Sequence, residues 1–247
     1  MNDLYNLKGK TAWITGGKRI GQRVAEVLAQ HGANIALSYK NSKKEADDTF
    51  KKIEKFGVNG LSVKADVSSH RSVEVAVNKI KNCFGKIEIL VLMASVFEPA
   101  KLDSITEEDL RKNFNIHVKG TFLPVQESLS LMPQGSHIIT VSDRTAIGKI
   151  YSGYLPYITT KGAVASLTKA LAVELAPKGI FVNSIAPGPV LKAKNMSREY
   201  WSRIRKNSII SYPINDKEAV EEFAKLVLYL STARSTGSVY PLDFGYL

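Results

Sequence analysis

Cysteine is nearly absent: Cys83 stands alone in 247 residues. Intrachain disulfides and cysteine-built zinc sites are therefore excluded, and a reducing cytoplasm is the expected compartment. Histidine is scarce as well. His31, His70, His117 and His137 are scattered, none at the i, i+4 spacing of a helical metal site, so no metal is expected. Long apolar runs are missing too, since the longest clean one, Ile89 to Phe97, is about half of what a bilayer span requires. The first ten residues, Met1 to Lys10, lack the apolar stretch and small-residue cleavage site of a signal peptide. A soluble protein with no membrane partner is expected. No repeat or Ser/Gly linker divides the chain, which predicts one domain over 1–247.

Acidic residues are in deficit, 23 against 34 Lys and Arg, a formal net charge of +11. Such a balance suits nucleic acid, an acidic protein partner, phosphate-bearing ligands or a solvated basic surface. No nucleic-acid recognition motif or aromatic-interleaved basic stripe is present, so no nucleic-acid partner is expected.

What the chain does have is an ordinary globular composition, 44% hydrophobic with 17 Gly, and short β-rich apolar runs alternating with amphipathic segments. Strands are predicted at Thr11–Thr15, Asn34–Tyr39, Gly60–Ala65, Ile87–Ala94, His137–Ser142, Phe181–Ala186 and Val239–Asp243. Helices are predicted at Gln22–His31, Lys43–Phe56, Ser72–Phe84, Glu107–Leu131, Leu155–Ala176 and Lys217–Ser231. Thr106 with Asp109 reads as a capping box, Gly32 as a left-handed C-cap, and Pro177 as a helix stop. The alternation predicts an α/β fold of βαβ units with a seven-stranded, mostly parallel sheet. An eightfold β/α barrel shares the periodicity, but seven strands and a glycine turn after the first favour the open sheet.

That turn reads Thr15-Gly16-Gly17-Lys18-Arg19-Ile20-Gly21 and leads directly into a helix. Glycines let backbone approach a pyrophosphate, and the helix N-terminus stabilises its charge, so Gly16, Lys18, Arg19, Ile20 and Gly21 are expected cofactor residues. About twenty residues on, NAD sites carry a carboxylate for the ribose 2′-hydroxyl. The second strand here ends Tyr39-Lys40-Asn41-Ser42, with no acid. Lys40 and Ser42 next to Tyr39, with the pair Lys18-Arg19, would bind a 2′-phosphate, so NADP(H) is the expected cofactor.

Tyr157 and Lys161 stand at i, i+4 on one helix face, followed by the small-residue run Gly162-Ala163-Val164-Ala165-Ser166 and then by Pro187-Gly188. A free tyrosine has a pKa near 10. At an effective dielectric of 20, a cation about 4 Å away is worth about 4 kcal/mol to the phenolate. Lys161 is thus expected to bring Tyr157 toward neutral pH, as a proton donor to a developing alkoxide requires.

With the glycine turn, Ala65-Asp66-Val67, Tyr157/Lys161, Pro187-Gly188 and Thr236-Gly237 in this order, the sequence resembles the short-chain dehydrogenase/reductase family over nearly its full length. The resemblance implies a single Rossmann-like doubly wound domain and hydride transfer between a nicotinamide cofactor and a carbonyl or imine carbon, with Tyr157 as general acid/base and Lys161 on the nicotinamide ribose. It also implies that Asp66, Val67, Ala94, Ser95, Pro187, Gly188 and Val190 line the cofactor. The departures from the family pattern resemble pteridine reductases. Arg19 stands for the middle glycine of the turn. Asp143 takes the place of the usual serine, with Ser142 one position before it and in reach of the site. Ser95-Val96-Phe97 puts an aromatic ring where it would stack on a pterin. Arg19, Phe97 and Asp143 are the expected substrate contacts, Asp143 accepting from pterin N–H groups. His117 falls on the position of the active-site asparagine and is expected in the proton relay near Lys161. Leu92-Met93-Ala94-Ser95 replaces the family's Asn-Asn-Ala-Gly and removes amide contacts to the cofactor.

A substrate lid is expected at about 189–215, carrying Lys192, Lys194, Arg198, Arg203, Arg205 and Lys206 against the lone acid Glu199. Such charge suits an anionic small-molecule substrate or an acidic carrier protein. Three functions fit: an NADPH-dependent reductase of a pterin-like substrate, a 3-oxoacyl-[acyl-carrier-protein] reductase, or a non-catalytic NADP-binding regulator. The family resemblance also implies a homotetramer.

Overall fold

The strands are β1 (Thr11–Thr15), β2 (Asn34–Tyr39), β3 (Gly60–Lys64), β4 (Ile89–Leu92), β5 (His137–Val141), β6 (Phe181–Pro187) and β7 (Val239–Leu242). In β1 the side-chain period of two sends Ala12 and Ile14 into one apolar layer and Trp13 into the opposite one. β4 repeats the division, with Ile89 and Val91 in the first layer and Leu90 and Leu92 in the second. Strands buried on both faces need helices on both sides, the condition for a parallel sheet.

The computed structural model describes residues 5–148, 150–193, 196–206, 208–210 and 214–246. Among these residues the strands form one seven-stranded parallel sheet of order β3-β2-β1-β4-β5-β6-β7. Its edges, β3 and β7, stay open. The barrel is therefore excluded, and the architecture is a single Rossmann-like α/β domain.

The helices are α1 (Ile20–Gln30), α2 (Lys43–Ile53), α3 (His70–Phe84), α4 (Glu107–Phe114), α5 (Gly120–Ser128), α6 (Leu155–Leu175), α7 (Arg198–Lys206) and α8 (Asp216–Leu230). Val24 and Leu28 of α1, Ile53 of α2 and Phe223 and Val227 of α8 fill the first layer. Val73 and Ile80 of α3, Leu123 of α5 and Leu171 and Leu175 of α6 fill the second. The Thr106/Asp109 capping box is present in both directions, and Gly32 is left-handed at φ +93°. Pro177 lies in a short 3₁₀ turn directly after α6.

Two expectations need correction. The helix expected over Glu107–Leu131 is interrupted by a π turn at Asn115–Lys119 and ends in a 3₁₀ turn at Leu129–Leu131. Pro124, which has no N–H and crowds the carbonyl four residues back at Gly120, sits just downstream of the widened turn. The segment expected only as a lid contains a helix, α7. Strand order reverses between β1 and β4, so their carboxyl ends diverge into a crevice, the place where open α/β sheets bind ligands.

Candidate active site

A cleft of about 1160 Å³ runs along the carboxyl ends of the strands, from Gly16 and Lys40 at one end to Phe97 and Tyr157 at the other. This volume exceeds that of usual small-ligand pockets, leaving room for a dinucleotide and a substrate together. At the first end the backbone is packed too closely for side chains. A Cβ on Gly16 would lie 2.9 Å from the Ala94 nitrogen, and one on Gly21 would lie 2.5 Å from the Gly16 carbonyl oxygen. Gly16 also requires φ +78°. This is the cradle that an approaching pyrophosphate needs, so the residues fit a dinucleotide.

Of the expected cofactor residues, Gly16, Lys18, Arg19, Ile20, Tyr39, Lys40, Ser42, Asp66 and Val67 line the cleft. So do Ala94, Ser95, Pro187, Gly188 and Val190, whereas Gly21 supports the turn from behind. Arg19 adopts φ 56° and ψ −101°, a conformation suited to glycine. The two lysines expected at the 2′-phosphate have carboxylate partners. Lys40 Nζ lies 2.6 Å from Asp66 Oδ2, and Lys18 Nζ lies 3.1 Å from Glu45 Oε1. Against the effect of burial, hydrogen bonds from Lys40 and Ser68 hold the Asp66 carboxyl below the usual carboxylate range. The end of β2 carries no acid, but α2 and the turn after β3 bring acids to it.

At the second end the Tyr157 hydroxyl donates to Asp143 Oδ2 at 2.7 Å. Asp143 Oδ1 accepts from the Thr145 N–H at 3.0 Å and from Thr145 Oγ1 at 2.9 Å, so the carboxylate is held rigidly. Lys161 Nζ donates to the Val141 carbonyl at 2.7 Å and lies 5.8 Å from the Tyr157 ring centroid. The expected lowering of the Tyr157 pKa does not occur. Burial and the negative charge of Asp143 push it well above the ordinary tyrosine value, because the carboxylate is at the hydroxyl and the ammonium is over the ring. Burial lowers Lys161 to about 8, with Asp143 opposing.

Ser142 does not turn toward Tyr157. Its hydroxyl is buried, donates to the Ile185 carbonyl at 3.2 Å and accepts from Ser184 Oγ at 3.0 Å, which ties it to β6.

His117 is placed by the π turn. Its Nδ1 is 2.8 Å from Thr160 Oγ1, whose own hydrogen goes to the Pro156 carbonyl at 2.7 Å. Nδ1 therefore carries the proton and Thr160 accepts it. Nε2 accepts from the Val96 N–H at 3.2 Å and faces Ser95 Oγ at 2.9 Å. Burial, then the charge of Lys161, lowers His117 to about 3. The ring is a neutral strut between the loop after β4 and α6. Its hydrogen bonds run to Thr160, Val96 and Ser95.

Phe97 stacks on Tyr154 with centroids 4.4 Å apart and meets Tyr157 edge-on at 4.8 Å. Tyr151 meets Tyr154 edge-on at 5.5 Å, and Tyr200, Trp201 and Tyr246 line the same part of the cleft. Sequence reasoning found Phe97 and Tyr157 but missed the others, although Tyr151, Tyr154 and Tyr157 recur at three-residue intervals. Arg144 was missed too. It donates to the Tyr246 carbonyl and lies over the Tyr151 ring, drawing the carboxyl-terminal segment across the site. The basic cluster of the expected lid divides. Arg205 turns inward to Asp216 at 2.8 Å and over the Trp201 ring, and Lys192 Nζ donates to the Met196 carbonyl at 2.6 Å. Arg198, Arg203 and Lys206 are exposed, while Lys194 lies outside the described residues.

Residues 16–247 match the family model described as enoyl-(acyl carrier protein) reductase. The chain is 38% identical over 189 residues to the uncharacterised oxidoreductase YhdF of Bacillus subtilis, which covers 74% of this chain and 64% of that protein. It is 30% identical over 202 residues to the versicolorin reductase stcU of Emericella nidulans, covering 81% of this chain and 76% of that one. A Burkholderia cenocepacia short-chain dehydrogenase, solved in complex with NADP, superposes with a TM-score of 0.90 at 28% identity over 98% of this chain and 99% of the other. Fold, ordered motifs and these likenesses agree: the chain belongs to the short-chain dehydrogenase/reductase family of oxidoreductases.

Proposed function

We propose that this protein is an NADPH-dependent reductase of a planar nitrogen heterocycle of the pterin kind, acting at a C=N or C=O carbon. The observation that carries the reading is the 2.7 Å hydrogen bond from Tyr157 to Asp143 inside an aromatic-walled cleft. A carboxylate accepts from the amino and ring N–H groups of such a substrate, where a serine hydroxyl would suit a simple ketone oxygen. NADP(H) is supported by Lys18, Lys40 and Ser42 at the adenosine end and by the NADP reported with the Burkholderia neighbour. A planar substrate is supported by Phe97, Tyr154 and Trp201, and by similarity to a protein named for reducing versicolorin.

When bound, the cofactor supplies hydride. Lys161 keeps two donors beyond its bond to Val141 for the nicotinamide ribose. Asp143 accepts from the substrate N–H groups and releases Tyr157 from their mutual bond. The freed Tyr157 hydroxyl then donates its proton to the heteroatom of the reduced bond. His117 holds the loop at Ser95 and Val96 against α6 while this happens.

A second reading, reduction of a 3-oxoacyl thioester on an acidic carrier protein, is favoured by the exposed Arg198, Arg203 and Lys206 beside the cleft. Following NADPH absorbance with 7,8-dihydrobiopterin and with acetoacetyl thioester separates the two. The proposal expects faster oxidation by the dihydropterin, and preference for the thioester overturns it. Tight NADPH binding with neither substrate reduced points instead to a non-catalytic cofactor binder.

The proposal includes a cytoplasmic homotetramer. Leu110, Phe114 and Phe122 along α4 and α5, and Val173 on α6 at 75% exposure, supply apolar surface for such contacts. Among the described residues no helix is long and apolar enough to cross a membrane. A monomer mass by light scattering contradicts the assembly.

A further inference from the structure

Arg19 is the residue of the phosphate turn whose conformation its own chemistry opposes. At φ 56° and ψ −101° it occupies backbone space open to glycine, and a side chain persists there only when its surroundings hold it. The neighbouring backbone does part of this: the Lys18 N–H bonds to the Gly16 carbonyl at 2.9 Å and the Gly21 N–H to the Lys18 carbonyl at 3.0 Å. The side chain does the rest. Its guanidinium donates to the carbonyl oxygen of Lys192, 173 positions away, in the stretch that follows β6. That stretch forms the other wall of the cleft through Val190, Leu191, Met196 and Trp201. Lys192 in turn donates to the carbonyls of Ala193 and Met196 on the same wall. Burial lowers the Arg19 pKa, and the charge of Asp216, which also pairs with Arg205 of α7, opposes that shift.

We infer that Arg19 is a latch that fastens the substrate wall, residues 189–193 and 196–206, to the cofactor turn. Glycine would relieve the backbone there but has no arm to reach Lys192. The strain and the latch are thus two consequences of one side chain. Arg19 acts through the wall it holds and is a positioning residue. The inference goes beyond the choice of substrate, and the ligand-free protein can test it.

Arg19→Gly and Arg19→Ala separate the two effects, since both remove the arm but only glycine removes the strain. Thermal melts should place R19G above R19A by roughly 2–4 °C, the shift expected for about one strained residue in a chain of this size. Limited trypsin digestion, with fragments assigned by mass, should show cleavage after Arg198, Arg203 and Lys206 rising about tenfold in both variants alike, as for a local opening made easier by one lost bond to a charged group. Cleavage that merely follows Tm, so that R19G resists trypsin as well as the natural protein, overturns the latch. So does an outcome in which both variants lose NADPH affinity by fluorescence titration while trypsin cleavage stays unchanged, because Arg19 then serves the cofactor alone. A natural protein that fails to bind NADPH in that titration counts against the proposed cofactor and leaves the trypsin comparison intact as the test of the latch.

Discussion

At the scale of single residues, the site is governed by which charge lies nearest the Tyr157 hydroxyl. Asp143, at 2.7 Å, outweighs Lys161, whose ammonium bonds to Val141. Tyr157 therefore stays a phenol throughout the working range, and the group that titrates is Lys161, lowered to about 8 by burial. Because lysine is charged below its pKa, cofactor-dependent turnover should be level below pH 7.5 and fall by about tenfold per unit above pH 8. A pH profile of kcat/KM checks this. In Asp143→Asn the carboxylate that raises Lys161 is gone, so the same limb should move to lower pH. A profile identical to that of the natural protein contradicts the assignment.

At the scale of elements, the glycine turn positions everything that follows. Gly16→Ala puts a Cβ 2.9 Å from backbone of the β4 exit at a residue with φ +78°. It should abolish NADPH binding by fluorescence titration and cost about 1–3 kcal/mol of stability in urea unfolding. The strands and most helices were legible because their signals are local: period-two alternation in β1 and β4, the Thr106/Asp109 box, the Tyr157/Lys161 spacing. The rest depends on contacts distant in sequence. The π turn that aims His117 looks in sequence like continuous helix, because the one sequence signal beside it, Pro124, does not say which upstream turn widens. Asp143 and Tyr157 were both legible, but they stand fourteen positions apart and no local signal pairs them. The partners of Lys40 and Lys18 come from other elements, so an acid-free β2 end was only part of the charge at that site.

At the scale of the whole molecule, two histidines are held neutral in the core. His117 is lowered to about 3 and His137 to about 4, in each case mainly by burial. In the unfolded chain both titrate near 6.5. Between pH 6.5 and 4 the unfolded state therefore takes up protons that the fold refuses, and stability is lost as pH falls, by about 1.4 kcal/mol per unit for each histidine. Urea midpoints should fall steadily from pH 7 to pH 5, and His117→Asn should make that fall shallower. Midpoints that do not change over this range contradict the burial of both rings. Of the 34 basic side chains, Lys18 and Lys40 stand at the glycine-turn end of the cleft, each against a carboxylate, Lys161 lies buried beside Tyr157, and Arg198, Arg203 and Lys206 are exposed on the outer wall. In the proposed function, Asp143 makes this a site for a nitrogen heterocycle. Its most direct test is kcat/KM for NADPH-dependent reduction of 7,8-dihydrobiopterin by the natural protein and by Asp143→Ser. Loss of charged hydrogen bonds predicts a fall of about 100-fold with NADPH affinity kept within about threefold. Equal or faster reduction of the dihydropterin by the serine variant contradicts it.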